Sequence, residues 1–188
     1  MRRQSSFNDG GVSELDSASA ELAADPELSE GENDVILAER YRILPGSPIA
    51  ELGTPGAKAY VARNLKNPNE LVFARICEPT VFPRVEAMLQ LKNMREAFAI
   101  IPEDWGPLFW PVTGQRCFAI IFRRPEGGSV MPSLTAKTNK IDPEILLKSF
   151  LIPALTTLSI FERRKITHRA IRPDNVFASG TEGGNFVF

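Results

Sequence analysis

Cysteine is scarce in this sequence of 188 residues: Cys77 and Cys117 are the two, and each stands alone inside an apolar segment. That excludes the CxxC spacing of a metal site and the cysteine density of a secreted disulfide framework. Both read as buried thiols of a reducing compartment, since free cysteine behaves mostly as a small hydrophobe. Long apolar runs are missing too. The longest candidate, Phe150-Leu151-Ile152-Pro153-Ala154-Leu155, breaks at a proline and runs into Thr156 and Thr157, short of the roughly eighteen apolar residues of a membrane span. The sequence therefore predicts no membrane-spanning segment. Arg2 and Arg3 are followed by polar and acidic residues instead of the apolar core of a secretory signal, so a cytoplasmic location is expected. Lys and Arg are scattered, with no basic stripe interleaved with aromatics, which argues against nucleic acid as a partner.

What is present suffices for one packed domain: 43% of residues are hydrophobic and 24% charged. The formal net charge of -1 hides an asymmetry. Residues 1–40 carry ten acidic and three basic residues, the remainder thirteen and nineteen. The acidic stretch is rich in Ser, Asp, Glu, Ala and Gly and poor in large apolar groups, so it reads as a solvated tail over 1–38. Arg2-Arg3-Gln4-Ser5 within it has the flanks of a phosphorylation site for a basic-directed kinase.

From Arg40 onward the periodicity predicts short strands at Tyr41–Leu44, Ala57–Arg63, Leu71–Cys77 and Cys117–Phe122. Asn64-Leu65-Lys66-Asn67-Pro68-Asn69 has the turn chemistry of a hairpin, making the second and third strands antiparallel neighbours. A helix is predicted from Pro83 to Met94, with Val85, Met88, Leu89 and Leu91 on its apolar face, and a long buried one from Asp142 to Arg164. Asp142-Pro143-Glu144 supplies an N-cap, a proline at N1 and a first-turn acid. Trp105 and Trp110 are expected to pack, and residues 97–116 to hold a further strand whose register the sequence leaves open. The order of elements predicts the α+β class.

The segment after the long helix narrows this further. His168-Arg169-Ala170-Ile171-Arg172-Pro173-Asp174-Asn175-Val176-Phe177 resembles the catalytic loop of protein kinases, His-Arg-Asp-x-Lys-Pro-x-Asn followed by an apolar strand. Five of six fixed positions match in identity or charge. In that family the Asp accepts the substrate's hydroxyl proton, the Lys faces the transferred phosphate and the Asn holds a magnesium ion. The corresponding residues here are Ala170, Arg172 and Asn175, while His168 matches the family's largely structural histidine.

The resemblance continues upstream. Cys117-Phe118-Ala119-Ile120-Ile121-Phe122-Arg123-Arg124-Pro125-Glu126-Gly127-Gly128-Ser129 is similar to the fifth strand and hinge of a kinase, which places Phe122 at the gatekeeper position and Arg123–Pro125, with Arg124 at its middle, on the linker that pairs with adenine. Leu71-Val72-Phe73-Ala74-Arg75-Ile76 is similar to the third strand, Val-Ala-x-Lys, with Arg75 in place of the phosphate-binding lysine. Glu86 is the candidate for its glutamate partner. Gly53 and Gly56 are what remains of the glycine-rich loop whose amides approach the phosphates.

The implied fold is a protein-kinase-like N-terminal lobe, a small antiparallel sheet plus one helix, with its hinge over 39–130, followed by the beginning of a helical C-terminal lobe over 131–188. The implied ligands are ATP, weak or absent, and magnesium, doubtful at Asn175. The three departures fall on the chemistry: a degraded glycine loop, Arg75 for lysine and Ala170 for aspartate. General acid-base catalysis is typically worth about 10²- to 10⁴-fold, so loss of the aspartate alone would leave a poor phosphotransferase. The expectation is a pseudokinase-like regulatory module with a protein partner. Two alternatives stand beside it. One is a divergent serine/threonine kinase, active in a longer form whose metal-binding aspartate lies beyond Phe188. The other is a small-molecule phosphotransferase of the aminoglycoside-kinase type, which fits less well because those loops resemble His-Gly-Asp.

Overall fold

Alternation of apolar residues, with tight turns between the runs, builds the first half of the molecule into an antiparallel sheet. The structure is a computed structural model and describes residues 33–92, 94, 98–130, 142–168, 171–172, 175–179 and 185–188. Six of its strands are β1 (Val35–Leu37), β2 (Tyr41–Pro48), β3 (Ala57–Asn64), β4 (Leu71–Cys77), β5 (Pro102–Trp110) and β6 (Gln115–Arg123). They lie in the order β1-β2-β3-β4-β6-β5, every neighbouring pair antiparallel. Helix α1 (Val85–Leu91) connects β4 to β5. The α+β class is thus observed, with a mainly antiparallel sheet and few helices.

The sheet begins inside the stretch read as acidic tail, because Val35-Ile36-Leu37 pairs with Tyr41–Ile43. Leu37 is buried against Tyr41 and Ile43 in the first core cluster. Strand β5 falls within 97–116 and sits at the sheet edge, where Pro102 and Pro107, which have no amide N–H to donate, are tolerated. Trp110 is buried as expected, whereas Trp105 is half-buried and carries the Lys92 ammonium 5.1 Å from its ring centroid. Both cysteines are buried free thiols.

Successive side chains on a strand point to opposite faces, and here the two faces bury separate clusters. Tyr60, Ala62, Val72, Ala74, Ile76, Ala119 and Ile121 face one way, with Tyr41 and Trp110. Ala57, Ala59, Phe73, Cys77, Ile120 and Phe122 face the other, where Leu52, Met88 and Phe177 join them.

The long helix, α2, runs Pro143–Arg163. The Asp142 side chain caps it, accepting from the Glu144 and Ile145 amides at 2.7 and 3.4 Å. Its middle, Leu146–Leu151, is π-helical, with the Ile152 amide reaching back to the Leu147 carbonyl. The wider turn precedes Pro153, whose ring would crowd the carbonyl four residues back and which lacks a donor of its own. The helix ends in a Schellman motif: Lys165 adopts φ 59°, its amide bonds the Glu162 carbonyl, and the Ile166 amide bonds that of Phe161.

The expectation of a buried helix needs correction. Ala154, Thr157 and Phe161 are buried and Phe150 packs on Phe186 and Phe188, yet Leu147, Leu151, Ile152 and Leu155 are exposed, Leu155 by 65%. Only 17% of the helix's most apolar stretch is buried, and by length and composition alone the helix could cross a membrane. Its docked side, with the Thr157 hydroxyl accepting from the Phe98 amide at 3.0 Å, is that of a helix seated on a protein surface.

Strands β7 (Phe177–Ser179) and β8 (Asn185–Val187) form a separate hairpin. It is stitched to the rest of the domain on two sides: the Val130 amide bonds the Val176 carbonyl at 2.8 Å and Gly127 and Gly128 exchange bonds with Ala178, while the Ile100 amide bonds the Phe188 carbonyl at 2.7 Å and the Phe188 amide bonds that of Phe98 at 3.1 Å.

The β1–β2 connection stores strain. Ala38 and Glu39 both sit at φ 52°, as in a type I′ turn closed by the Arg40 amide on the Leu37 carbonyl at 3.1 Å, a conformation that favours Asn-Gly. Replacing Ala38→Asn together with Glu39→Gly should raise the unfolding free energy by about 1–2 kcal/mol. The gain should appear as a higher urea midpoint at an unchanged slope, and no gain would mean that the turn lacks this geometry.

Candidate functional site

Arg75 alternates with Phe73 and Cys77 along β4 and so projects onto the second face of the sheet, into an aromatic wall. Phe73 pairs in register with Phe122 of β6, and the two rings stack at 5.3 Å between centroids with planes 20° apart. The Arg75 guanidinium lies over both rings, 5.6 Å from the Phe73 centroid and 5.1 Å from that of Phe122, within cation-π range. Its Nε donates to the Leu52 carbonyl at 2.9 Å. Burial pushes its pKa down to about 10, and among the described residues no carboxylate pairs with it to offset the cost.

Leu52 reaches this position because the β2–β3 connection folds inward. After Pro48, residues Ala50–Leu52 form one turn of 3-10 helix, and Ile49 and Leu52 enter the second cluster. Gly53 follows at φ -70° and closes that turn with its amide on the Ala50 carbonyl. Thr54-Pro55-Gly56-Ala57 is a tight turn with reciprocal 2.9 Å bonds between Thr54 and Ala57. Proline at the second position and Gly56 at φ 79° in the third give it type II geometry. A Cβ on Gly56 would also stand 2.7 Å from Val81. The two glycines read as phosphate-loop remnants therefore serve local turns.

The proposed partner of Arg75 is elsewhere. Glu86 is exposed on α1, and among the described residues it makes no ion pair with Arg75. The linker residue Arg124 donates its amide to the Leu71 carbonyl at 2.8 Å. Its neighbour Arg123 is anchored to Glu70 and Glu103 at 3.0 and 3.4 Å. Gly127 follows, so close to β7 that a Cβ there would lie 2.7 Å from that of Ala178. A cleft of about 780 Å³ opens beside the linker, lined by Arg124, Glu126, Lys92, Ile100 and Val187 among others. Arg75, Phe122, Gly53 and Gly56 do not line it.

Of the catalytic-loop-like segment, Ala170 lies outside the described residues, as do Arg169, Pro173 and Asp174. His168 is half-buried, stacked on Phe161 at 6.1 Å and meeting Phe188 edge-on at 4.9 Å, which is a packing role. Arg172 is exposed, and its carbonyl accepts the Asn175 amide at 2.9 Å, turning the chain into β7. Among the described residues no group of three or more His, Cys, Asp and Glu side chains could hold a metal ion.

The structure thus unites Arg75 and Phe122, and adds Phe73, Leu52 and Phe177, none of which was singled out as a site residue. One signal for Phe73 was in the motif itself: Val-Ala-x-Lys has a small residue where this chain has phenylalanine. Leu52 and Phe177 carried no such signal. No protein-family model and no curated protein matches the chain at a significant level.

Burial lowers the pKa of His168, the single histidine. The unfolded chain then takes up its proton at a higher pH than the folded one, so stability rises with pH across this window and falls on acidification below about pH 6.5. Urea unfolding at pH 7, 6 and 5 should show that loss in the wild type. His168→Phe should remove its share of the slope, and identical slopes would refute the assignment.

Proposed function

We propose that the chain is a kinase-like domain serving as a regulatory, protein-binding module that does not transfer phosphate. The observation carrying this reading is the engagement of Arg75. Its charge stands where the resemblance puts the phosphate-binding lysine, yet its Nε is committed to the Leu52 carbonyl and its guanidinium plane to two aromatic rings. A planar fork so held does not do the work of a mobile ammonium. Replacement of the proton-accepting aspartate by Ala170 removes a second part of the chemistry.

The connectivity supports the kinase-like part of the reading. Strands β2, β3, β4, β6 and β5 lie side by side with a helix inserted between β4 and β5. A linker then leads from β6 to a long helix, the His168–Asn175 segment and a hairpin that pairs back onto the linker. The binding part is supported by the exposed apolar side of α2, since apolar patches of this kind mark contact surfaces. Nucleotide has no part in this function.

Incubating the full-length protein with Mg-ATP and a generic protein substrate should give no phosphate incorporation above that of an Asn175→Ala control. Incorporation that disappears in both Arg75→Met and Asn175→Ala would establish a divergent serine/threonine kinase instead.

A further inference from the structure

The second face of the sheet raises a question that the loss of catalysis leaves open, namely what occupies the space between the linker and Arg75. In the kinase-like reading, on which this inference rests, a nucleotide would pair with the linker at Arg123–Pro125 and extend its phosphates toward position 75. Its base would have to lie against the β4 and β6 residues that face this side. Nearest the linker those residues are Phe73 and Phe122, 0% and 8% exposed and stacked on each other. Phe177 of β7, 1% exposed, belongs to the same cluster, so the hairpin side contributes a third ring. The loop that would cover phosphates instead sends Leu52, 2% exposed, into the cluster and hands its carbonyl to Arg75.

We propose that the chain supplies its own occupant for the nucleobase space, and that Phe73, standing where the related motif has alanine, is the residue whose ring excludes the nucleotide. The stacked pair takes the place of a base-aromatic stack, and Arg75 caps it from above through its two cation-π contacts and its bond to Leu52. The arrangement makes the domain's folded state independent of ligand. It also makes one side chain decisive. Position 75 is too far along the strand to block a base, and Phe122 occupies a position where large residues are compatible with a pocket behind them. Phe73 pairs with Phe122 at the centre of the wall, and truncating it would leave a dry, flat-walled cavity of the kind that binds small aromatic molecules.

The test is a thermal-shift titration of the full chain with ATP, adenosine and indole, in the wild type and in Phe73→Ala. The wild type should respond to none of them. Phe73→Ala should melt about 10 °C lower, as expected for a buried ring removed from a domain of this size. Indole and adenosine should then each raise its melting temperature saturably, by about 5 °C at concentrations well above the dissociation constant. Stabilisation of the wild type by ATP or adenosine overturns the proposal, as does a folded Phe73→Ala chain that responds to no probe. A response to indole but not to adenosine upholds Phe73 as the filler of the space and removes the kinase-like placement of a base in it, separating failure of the underlying reading from failure of the inference. If Phe73→Ala does not fold, Phe73→Val probed by xenon NMR reads the same cavity: bound xenon in the variant and none in the wild type upholds it, and no xenon in either overturns it.

Discussion

A guanidinium drawn out of water has to be compensated, and the way Arg75 is compensated shapes this face of the molecule. Its pKa, brought down to about 10 by burial, leaves it charged at neutral pH. A hydrogen bond involving a charged group is worth about 1.5–3 kcal/mol and a desolvated cation-π contact about 2 kcal/mol. One of the former and two rings therefore hold the charge. Each demands something of the sequence. The rings must lie on neighbouring strands in register, as Phe73 and Phe122 do. The carbonyl must come from a segment that leaves the sheet and returns, which explains why residues 49–56 fold as a helical turn and a type II turn and not as a continuous hairpin. Gly56 is fixed by that path, since Val81 fills the space beside it.

The same constraint explains why position 75 requires arginine and not merely a positive charge. A lysine at 75 could bond one carbonyl but has no plane to lay over two rings. Arginine satisfies both at once, with Nε on the Leu52 carbonyl and its plane over Phe73 and Phe122. The ring pair is worth about 0.5–1.5 kcal/mol beyond its burial, and Phe73 adds the burial of a full aromatic side chain.

Much of the sheet was legible because alternation and turn residues are local properties. Four strand segments, the Asn64–Asn69 turn and the Asp142 cap follow from residues within a few positions of one another. β1 was not legible because three apolar residues in an acidic stretch are too few to signal a strand, and only pairing with Tyr41–Ile43 makes one of them. β5 resisted a register because Pro102, Gly106 and Pro107 interrupt its alternation. The site was half legible. Arg75 and Phe122 were identified by motif, but their use depends on Leu52, more than twenty residues from Arg75, and on a ring-to-ring register that no single segment encodes. Glu86 shows the converse, a candidate site residue whose side chain is exposed.

Helix α2 marks where local reading and folded context part most clearly. A helix apolar nearly all round is read as buried, and the sequence gives no reason to expect otherwise. In the fold it is held by one flank, through Phe150, Ala154, Thr157 and Phe161, because the β7–β8 hairpin is small and covers little of it. Two hydrogen bonds add to that packing: the Thr157 hydroxyl accepts from the Phe98 amide, and the exposed Arg164 guanidinium, just past the helix end, donates to the Gln90 carbonyl at 3.2 Å. Neither bond buries its outer leucines. The docked flank of the helix therefore carries Phe150 and Phe161, while Leu147, Leu151, Ile152 and Leu155 remain on its outside.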